Sequence, residues 1–216
     1  MPSRAGKVHL KSAPEQLRQA GLLLEPDVHT GRIDLAALFG NSRPVEAEIG
    51  PGKGAFILGR AQARSELNLL GIEWVPSYGL YVADRVLRAG LPNVRAVIAD
   101  AATFVRQCLP DASLLRMHIY FPDPWPKTRH HRRRLIQWPF LNEVRRVLVI
   151  GGWLGIVTDH DEYFRHVRTI LSSVSGLAEV PFPDARGDEL LVGSNFERKY
   201  REAGRRFHAL AALRYR

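Results

Sequence analysis

The run IYFPDPWPKTRHHRRR, from Ile119 to Arg134, places one carboxylate, Asp123, between prolines and beside a tryptophan. Pro122, Pro124 and Pro126 fix their own φ and restrict the residues before them, so Asp123 and Trp125 are held in place before any ligand arrives. Lys127, Arg129, Arg132, Arg133 and Arg134 follow as five fixed positive charges in eight residues, with His130 and His131 among them. A carboxylate so placed can accept hydrogen bonds from N1–H and the amino group of a guanine, and a dense basic run docks a phosphate backbone. A proline-punctuated loop leading into a solvated helix start accounts for the charges alone; the carboxylate, the aromatic and the charges together favour an enzyme that acts on a nucleic-acid base. Trp125 reads as loop or core packing rather than as a stacking platform. His130 and His131 belong with the basic surface, since no third ligand at a recognisable spacing makes a zinc site of them.

A second constellation lies upstream. The segment EIGPGKG (48–54) joins an apolar strand pattern to a helical one. Gly50, Gly52 and Gly54 permit a tight turn and close approach of a ligand to the backbone. The spacing is G-x-G-x-G, not the G-x-G-x-x-G of the dinucleotide fingerprint. Glu48, inside the strand just before the glycines, would repel a pyrophosphate and suit a cation. S-adenosylmethionine, with its sulfonium and ammonium, therefore fits better than a nicotinamide dinucleotide. Glu73 ends the next strand, 21 residues beyond Gly52, where an acid accepts hydrogen bonds from both ribose hydroxyls. Asp100 ends a third strand and serves equally as a ligand for an adenine amino group or as a helix N-cap; the two roles can coexist. Asp159 ends a fifth strand and either faces a ligand or caps the following helix, with Glu162 completing a box-like pattern. Acids at the ends of consecutive strands share the carboxyl edge, where open α/β sheets bind ligands.

The elements that must position these side chains follow from periodicity. Strand patterns at 45–50, 67–73, 94–100, 114–121 and 152–158 alternate with helical patterns at 53–64, 77–88, 101–109, 133–148 and 162–172. Such alternation predicts a mostly parallel sheet with helices on both faces. Residues 177–180 and 207–215 add a final strand pair with an antiparallel edge, making seven strands. Residues 1–42 show little periodicity beyond Leu22–Leu24 and Leu35–Phe39 and read as a partly ordered arm before a domain spanning 43–216.

With 216 residues the chain suits one α/β domain. Its net charge of +9 calls for an anionic partner, nucleic acid being the commonest. Cys108 is the sole cysteine, which excludes an intrachain disulfide and a cysteine metal cluster. The longest apolar run, Val147 to Val157, is too short to span a bilayer, so a cytoplasmic protein acting without membrane or metal is expected.

Taken together, EIGPGKG, GIE at 71–73, FPDPWPKTRHHRRR, TDH at 158–160 and SNFERKY at 194–200 resemble the bacterial tRNA (guanine-N7)-methyltransferase family from about Pro44 to Tyr200. The resemblance implies a Rossmann-like class I methyltransferase fold. It also implies methyl transfer from S-adenosylmethionine to N7 of a guanine in the tRNA variable loop, by a monomer or homodimer. It assigns Glu48, Gly50, Gly52, Glu73, Asp100 and Asp123 to the cofactor, with Asp123 also at the catalytic centre. Lys127, Asp159, Ser194, Asn195, Phe196 and Glu197 fall to the substrate, and Arg129, Arg132, Arg133 and Arg134 to the tRNA backbone. The family usually has threonine where this chain has Ser194, which keeps the hydroxyl and loses the methyl. Three rivals carry different expectations: an amino-group methyltransferase, because P-D-P-W is similar to [N/D]-P-P-aromatic; a non-catalytic RNA-binding module; and a nicotinamide-dependent enzyme.

Overall fold

The computed structural model describes residues 8–27, 31–182, 197, 202–204 and 206–216. The chain divides into two compact units, 1–108 and 109–216.

The first unit alternates strand and helix: α1 (Pro14–Gln19), β1 (Leu23–Leu24), α2 (Leu35–Phe39), β2 (Val45–Ile49), α3 (Ala55–Ala63), β3 (Asn68–Glu73), α4 (Pro76–Ala89), β4 (Val94–Ile98) and α5 (Ala101–Gln107). Its strands run parallel in the order β1-β4-β3-β2. Every residue of β2 and β3 is buried, as strands covered on both faces must be. Pro76 opens α4 at its first turn and Gly90 closes it in the left-handed conformation, while Val82, Ala83 and Val86 supply the buried stripe. Gly71 in β3 is needed for a different reason. A Cβ there would lie 2.9 Å from Ile57 Cδ1 and 3.3 Å from Pro51 Cγ, so its absence lets the glycine loop and α3 settle onto the strand.

Much of the segment expected to be an arm belongs to this unit. Leu23 and Leu24 form β1 and pair with Ala96 and Val97, adding, among the described residues, an eighth strand to the seven expected. The fully buried Asp84 of α4 accepts hydrogen bonds from the backbone amides of Lys11 (3.2 Å) and Ser12 (2.9 Å) and pairs with Arg88 at 3.0 Å. Two apolar residues are too few for a strand pattern, and Asp84 looks like any helix acid until the chain folds back on it.

The second unit contains β5 (Leu114–Tyr120), a 3-10 turn (Thr128–Arg133), α6 (Trp138–Val147), β6 (Leu148–Thr158), α7 (Asp161–Ser172), β7 (Leu177–Val180) and β8 (His208–Arg214), its strands ordered β5-β6-β8-β7. β5 and β6 are parallel, and β8 runs antiparallel to both β6 and β7. The antiparallel strand thus sits one place in from the edge that β7 forms. Helix α6 starts at Trp138, not at Arg133 as expected, because Pro139 is accepted in a first turn but would break a helix begun five residues earlier. In α7, Tyr163, Val167 and Leu171 recur every fourth residue and form its buried stripe.

Candidate functional site

In the first unit β2 carries two buried acids on one face, Glu46 and Glu48, with Val45, Ala47 and Ile49 on the other. Glu46 is fully buried and receives two hydrogen bonds from Arg60 of α3, at 2.8 and 2.9 Å. Glu48, 4% exposed, has no such cation: its Oε2 is buried without a hydrogen-bond partner among the described residues. Burial pushes its carboxyl up to about 8, the nearby Glu73 charge adds to the rise, and a hydrogen bond with the Ile57 backbone only partly opposes them.

Gly50 and Gly52 follow with φ of +69° and +54°, and Gly50 N–H donates to the Ile72 carbonyl at 2.8 Å. That left-handed turn aims the Gly52 amide at Glu73, whose Oε2 accepts at 3.0 Å, while its Oε1 accepts from Val75 N–H at 2.9 Å. Glu73 is thereby oriented by the loop it was expected to act beside. Asp100 is exposed, and its Oδ1 caps α5 through Thr103 N–H at 2.9 Å, which confirms the capping role. Glu48, Glu73 and Asp100 stand at or just past the carboxyl ends of the neighbouring parallel strands β2, β3 and β4. Trp74, directly after Glu73, is 69% exposed.

A buried carboxyl with one unpartnered oxygen beside a loop of left-handed glycines, with a second acid at the next strand end, fits a ligand that brings a cation and a ribose. The residues present therefore fit S-adenosylmethionine.

In the second unit the acids expected at strand ends fall after β5 and β6. Asp123 is exposed, in a loop where Phe121 and Trp125, each preceding a proline, hold φ of +53° and +43°. Left-handed backbone at non-glycine residues costs on the order of 1–3 kcal/mol each and persists only where the surroundings enforce it. The enforcing contacts are visible. Phe121 N–H donates to the Val157 carbonyl at 2.7 Å, and Phe121 meets Phe207 edge to face. Trp125 is packed, with the His130 ring at its edge and the Arg133 guanidinium 5.0 Å from its centroid.

Lys127, Arg129, Arg132 and Arg133 are exposed on the 3-10 turn and its flank. Partial burial and the cations Arg133, Arg129 and Lys127 hold the His130 imidazolium below its usual range. Arg134 corrects the expectation of a phosphate contact. It is 2% exposed and points inward, to the Pro124 carbonyl and to Glu162. Asp159 is half-buried, and the cap of α7 is His160, whose Nδ1 accepts from Tyr163 N–H at 3.2 Å, not Asp159. Glu162 pairs with Arg134 instead of completing a capping box. Glu197 is fully buried, whereas Ser194, Asn195 and Phe196 lie outside the described residues.

Among the described residues no cluster of His, Cys, Asp and Glu could hold a metal ion, and no helix is long and apolar enough to cross a membrane. Sequence reasoning missed the Glu46–Arg60 pair and the inward turn of Arg134; only the clustering of charge hinted at either.

Comparison with known proteins bears on the fold and the family. The chain overlays a SAM dependent methyltransferase from Aquifex aeolicus with a TM-score of 0.55 at 15% identity, covering 94% of this chain and 99% of that one. It overlays a 30S ribosomal methyltransferase from an uncultured bacterium with a TM-score of 0.61 at 14% identity, covering 88% and 95%. The chain thus has the Rossmann-like fold of S-adenosylmethionine-dependent methyltransferases. Residues 42–210 match the family model described as "Putative methyltransferase". The tRNA (guanine-N(7)-)-methyltransferase of Sodalis glossinidius is 41% identical over 150 residues, 69% of this chain and 62% of that protein. Those of Nitrosococcus oceani and Serratia proteamaculans are 39% and 38% identical, over 71% of this chain and 65% and 67% of theirs. The chain belongs to this tRNA (guanine-N(7)-)-methyltransferase family, although its match spans somewhat less than two thirds of the first two relatives.

Proposed function

We propose that the protein transfers a methyl group from S-adenosylmethionine to N7 of a guanine in the variable loop of tRNA, in the cytoplasm. The observation that carries this reading is Glu48, a buried carboxylate with an unpartnered oxygen beside the glycine loop. Glu48 would receive the cofactor's ammonium, the amides around Gly50 and Gly52 would line the turn, and Glu73 would accept the ribose hydroxyls. Asp100 would meet the adenine amino group while keeping its cap to Thr103. When bound, S-adenosylmethionine supplies an electrophilic methyl on its sulfonium.

Guanine N7 has an exposed lone pair and no proton, so no residue of the chain has to act as a base. What the protein must do is align the base and stabilise the charge that moves onto it. Asp123, held by a strained loop and open to solvent, is suited to accept from the guanine N1–H and amino group and to favour the positive charge that develops on the purine. The same residue is proposed to border the cofactor. Lys127 and Asp159, with Ser194, Asn195, Phe196 and Glu197, are proposed to meet the substrate, and Arg129, Arg132 and Arg133 to follow the phosphate backbone.

The decisive test is transfer of labelled methyl to unmodified tRNA transcripts, followed by nucleoside analysis. Label in 7-methylguanosine, lost when the variable-loop guanine is replaced, supports reaction and target together. Label in another nucleoside refutes the guanine-N7 assignment, and no label despite cofactor binding makes the chain a binding module.

A further inference from the structure

Arg134 closes the basic run yet behaves unlike the rest of it. Its side chain is fully shielded from solvent, whereas Lys127, Arg129, Arg132 and Arg133 are exposed. Nε donates to the Pro124 carbonyl at 2.8 Å, Nη1 donates to Glu162 Oε1 at 3.1 Å, and Nη2 donates to Glu162 Oε2. The guanidinium also lies 4.9 Å from the ring centroid of Tyr163, a residue with no exposed surface. One planar group, ten residues beyond Pro124, therefore ties the carbonyl of the residue after Asp123 to the first turn of α7, 28 residues further along the chain from Arg134.

We infer that Arg134 is a positioning residue, a clamp that holds the Pro-Asp-Pro-Trp loop and so sets where Asp123 stands when the base arrives. The inference rests on the proposed function for its catalytic consequence and on geometry alone for the clamp itself. The strained φ at Phe121 and Trp125 brackets Asp123, and a loop in that conformation relaxes unless something outside it resists. The carbonyl between the two strained residues is bonded to Arg134. Glu162 stays ionised to hold the other edge: the Arg134 hydrogen bond keeps its carboxyl below the usual range, with lesser help from the charges of Arg134 and His131. His131 Nε2 stands 4.0 Å from the same carboxylate. Lysine cannot replace the clamp, because a single ammonium does not present one N–H to a carbonyl and a parallel pair to a carboxylate.

The test compares Arg134→Lys and Glu162→Gln with Arg132→Ala in the full chain. The clamp predicts that Arg134→Lys lowers kcat on the order of tenfold to a hundredfold. KM for tRNA and the slope of log affinity against log salt stay as in the unsubstituted protein. Arg132→Ala moves KM and the slope instead. Glu162→Gln keeps the guanidinium and weakens one arm, so it should reproduce a smaller fall in kcat even if Arg134→Lys folds poorly. Limited trypsinolysis read by mass spectrometry gives an arm that needs no methyl transfer. Cleavage after Lys127 and Arg129 should speed up on the order of tenfold in both clamp variants and stay unchanged in Arg132→Ala. Unchanged cleavage overturns the clamp, and a raised KM for tRNA with kcat unchanged in Arg134→Lys shows the residue on the substrate instead. Absence of 7-methylguanosine with the unsubstituted protein would sink the proposed reaction, while the cleavage rates would still decide the clamp.

Discussion

Glu48→Gln separates what a buried carboxylate costs the folded chain from what it contributes to a ligand. The folded protein holds this proton up to about 8, against an ordinary value of 4.5. Below pH 4.5 folded and unfolded chains both carry the proton, and no penalty exists. Between 4.5 and 8 the unfolded chain ionises while the folded one does not, so stability falls as pH rises, and the loss is complete above 8. At pH 7 the gap of 2.5 pH units above the ordinary value corresponds to about 3 kcal/mol, at 1.36 kcal/mol per unit. With only 4% of the residue exposed, solvent screening discounts little of it. Glutamine keeps the shape without the charge, so urea unfolding of the ligand-free variant should show it more stable by about 2–3 kcal/mol at pH 7, the remainder going to an imperfectly bonded amide. The advantage should shrink towards zero as pH falls to 4.5. Cofactor binding should move the other way. An ammonium needs the ionised carboxylate, so affinity for S-adenosylmethionine by calorimetry should rise from pH 6 towards 8, approaching tenfold per unit, and the variant should lose both the affinity and its pH dependence. A stability difference that stays flat from pH 5 to 8, or a variant that binds the cofactor as well as the unsubstituted chain, would refute the reasoning.

Asp123→Ala should reduce turnover on the order of a hundredfold while cofactor affinity changes little, because the carboxylate is assigned to the base; parallel losses in single-turnover rate and cofactor Kd would point to a cofactor-binding role alone. Replacing Arg132 or Arg133 with alanine should flatten the salt dependence of tRNA affinity by about one unit of slope each, and an unchanged slope removes that residue from the docking surface. Asp84→Asn should cost about 2 kcal/mol and release residues 8–13 to proteases, since burial alone would raise this carboxyl and the Ser12 and Arg88 contacts hold it below its usual range. A lowered carboxyl stabilises at all pH values above its unfolded value near 3.8, so the difference between the two proteins should fade only as pH drops below that value; a gap that persists in stronger acid would argue that packing, not charge, holds the segment.

The surroundings of the glycine loop were largely visible before folding, and those of Asp123 less so. EIGPGKG announces a strand, a turn and a helix in one heptapeptide, and the turn forms where the glycines stand. Glu73 could be placed because the strand pattern before it ends on an acid. The run at 127–134 shows why identity is weaker information than position. Arginines in a row look alike, yet the 3-10 turn leaves Arg132 and Arg133 in solvent and sends Arg134 inward. Pro139 did carry a signal, since a proline is accepted in a first turn and so fixes the start of α6 at Trp138, past the basic run. Residues 11–12 and 23–24 held no signal of comparable strength; their partners, Asp84 and β4, lie some seventy residues away.

Composition and local order thus determined the class of fold, the glycine turn, the acids at strand ends and the basic surface, because each follows from periodicity, backbone freedom or charge within a few residues. Tertiary structure alone decided which acids are neutralised. Glu46 and Glu48 are two residues apart on one strand face, and only the arrival of Arg60 from α3 pairs the first and leaves an oxygen of the second unpartnered. The same holds for Arg134, whose role was set by Glu162 and Pro124 coming to meet it. A charge's cost and use depend on what stands within a few ångströms of it in a medium that screens poorly, and that neighbourhood exists only once the chain has folded.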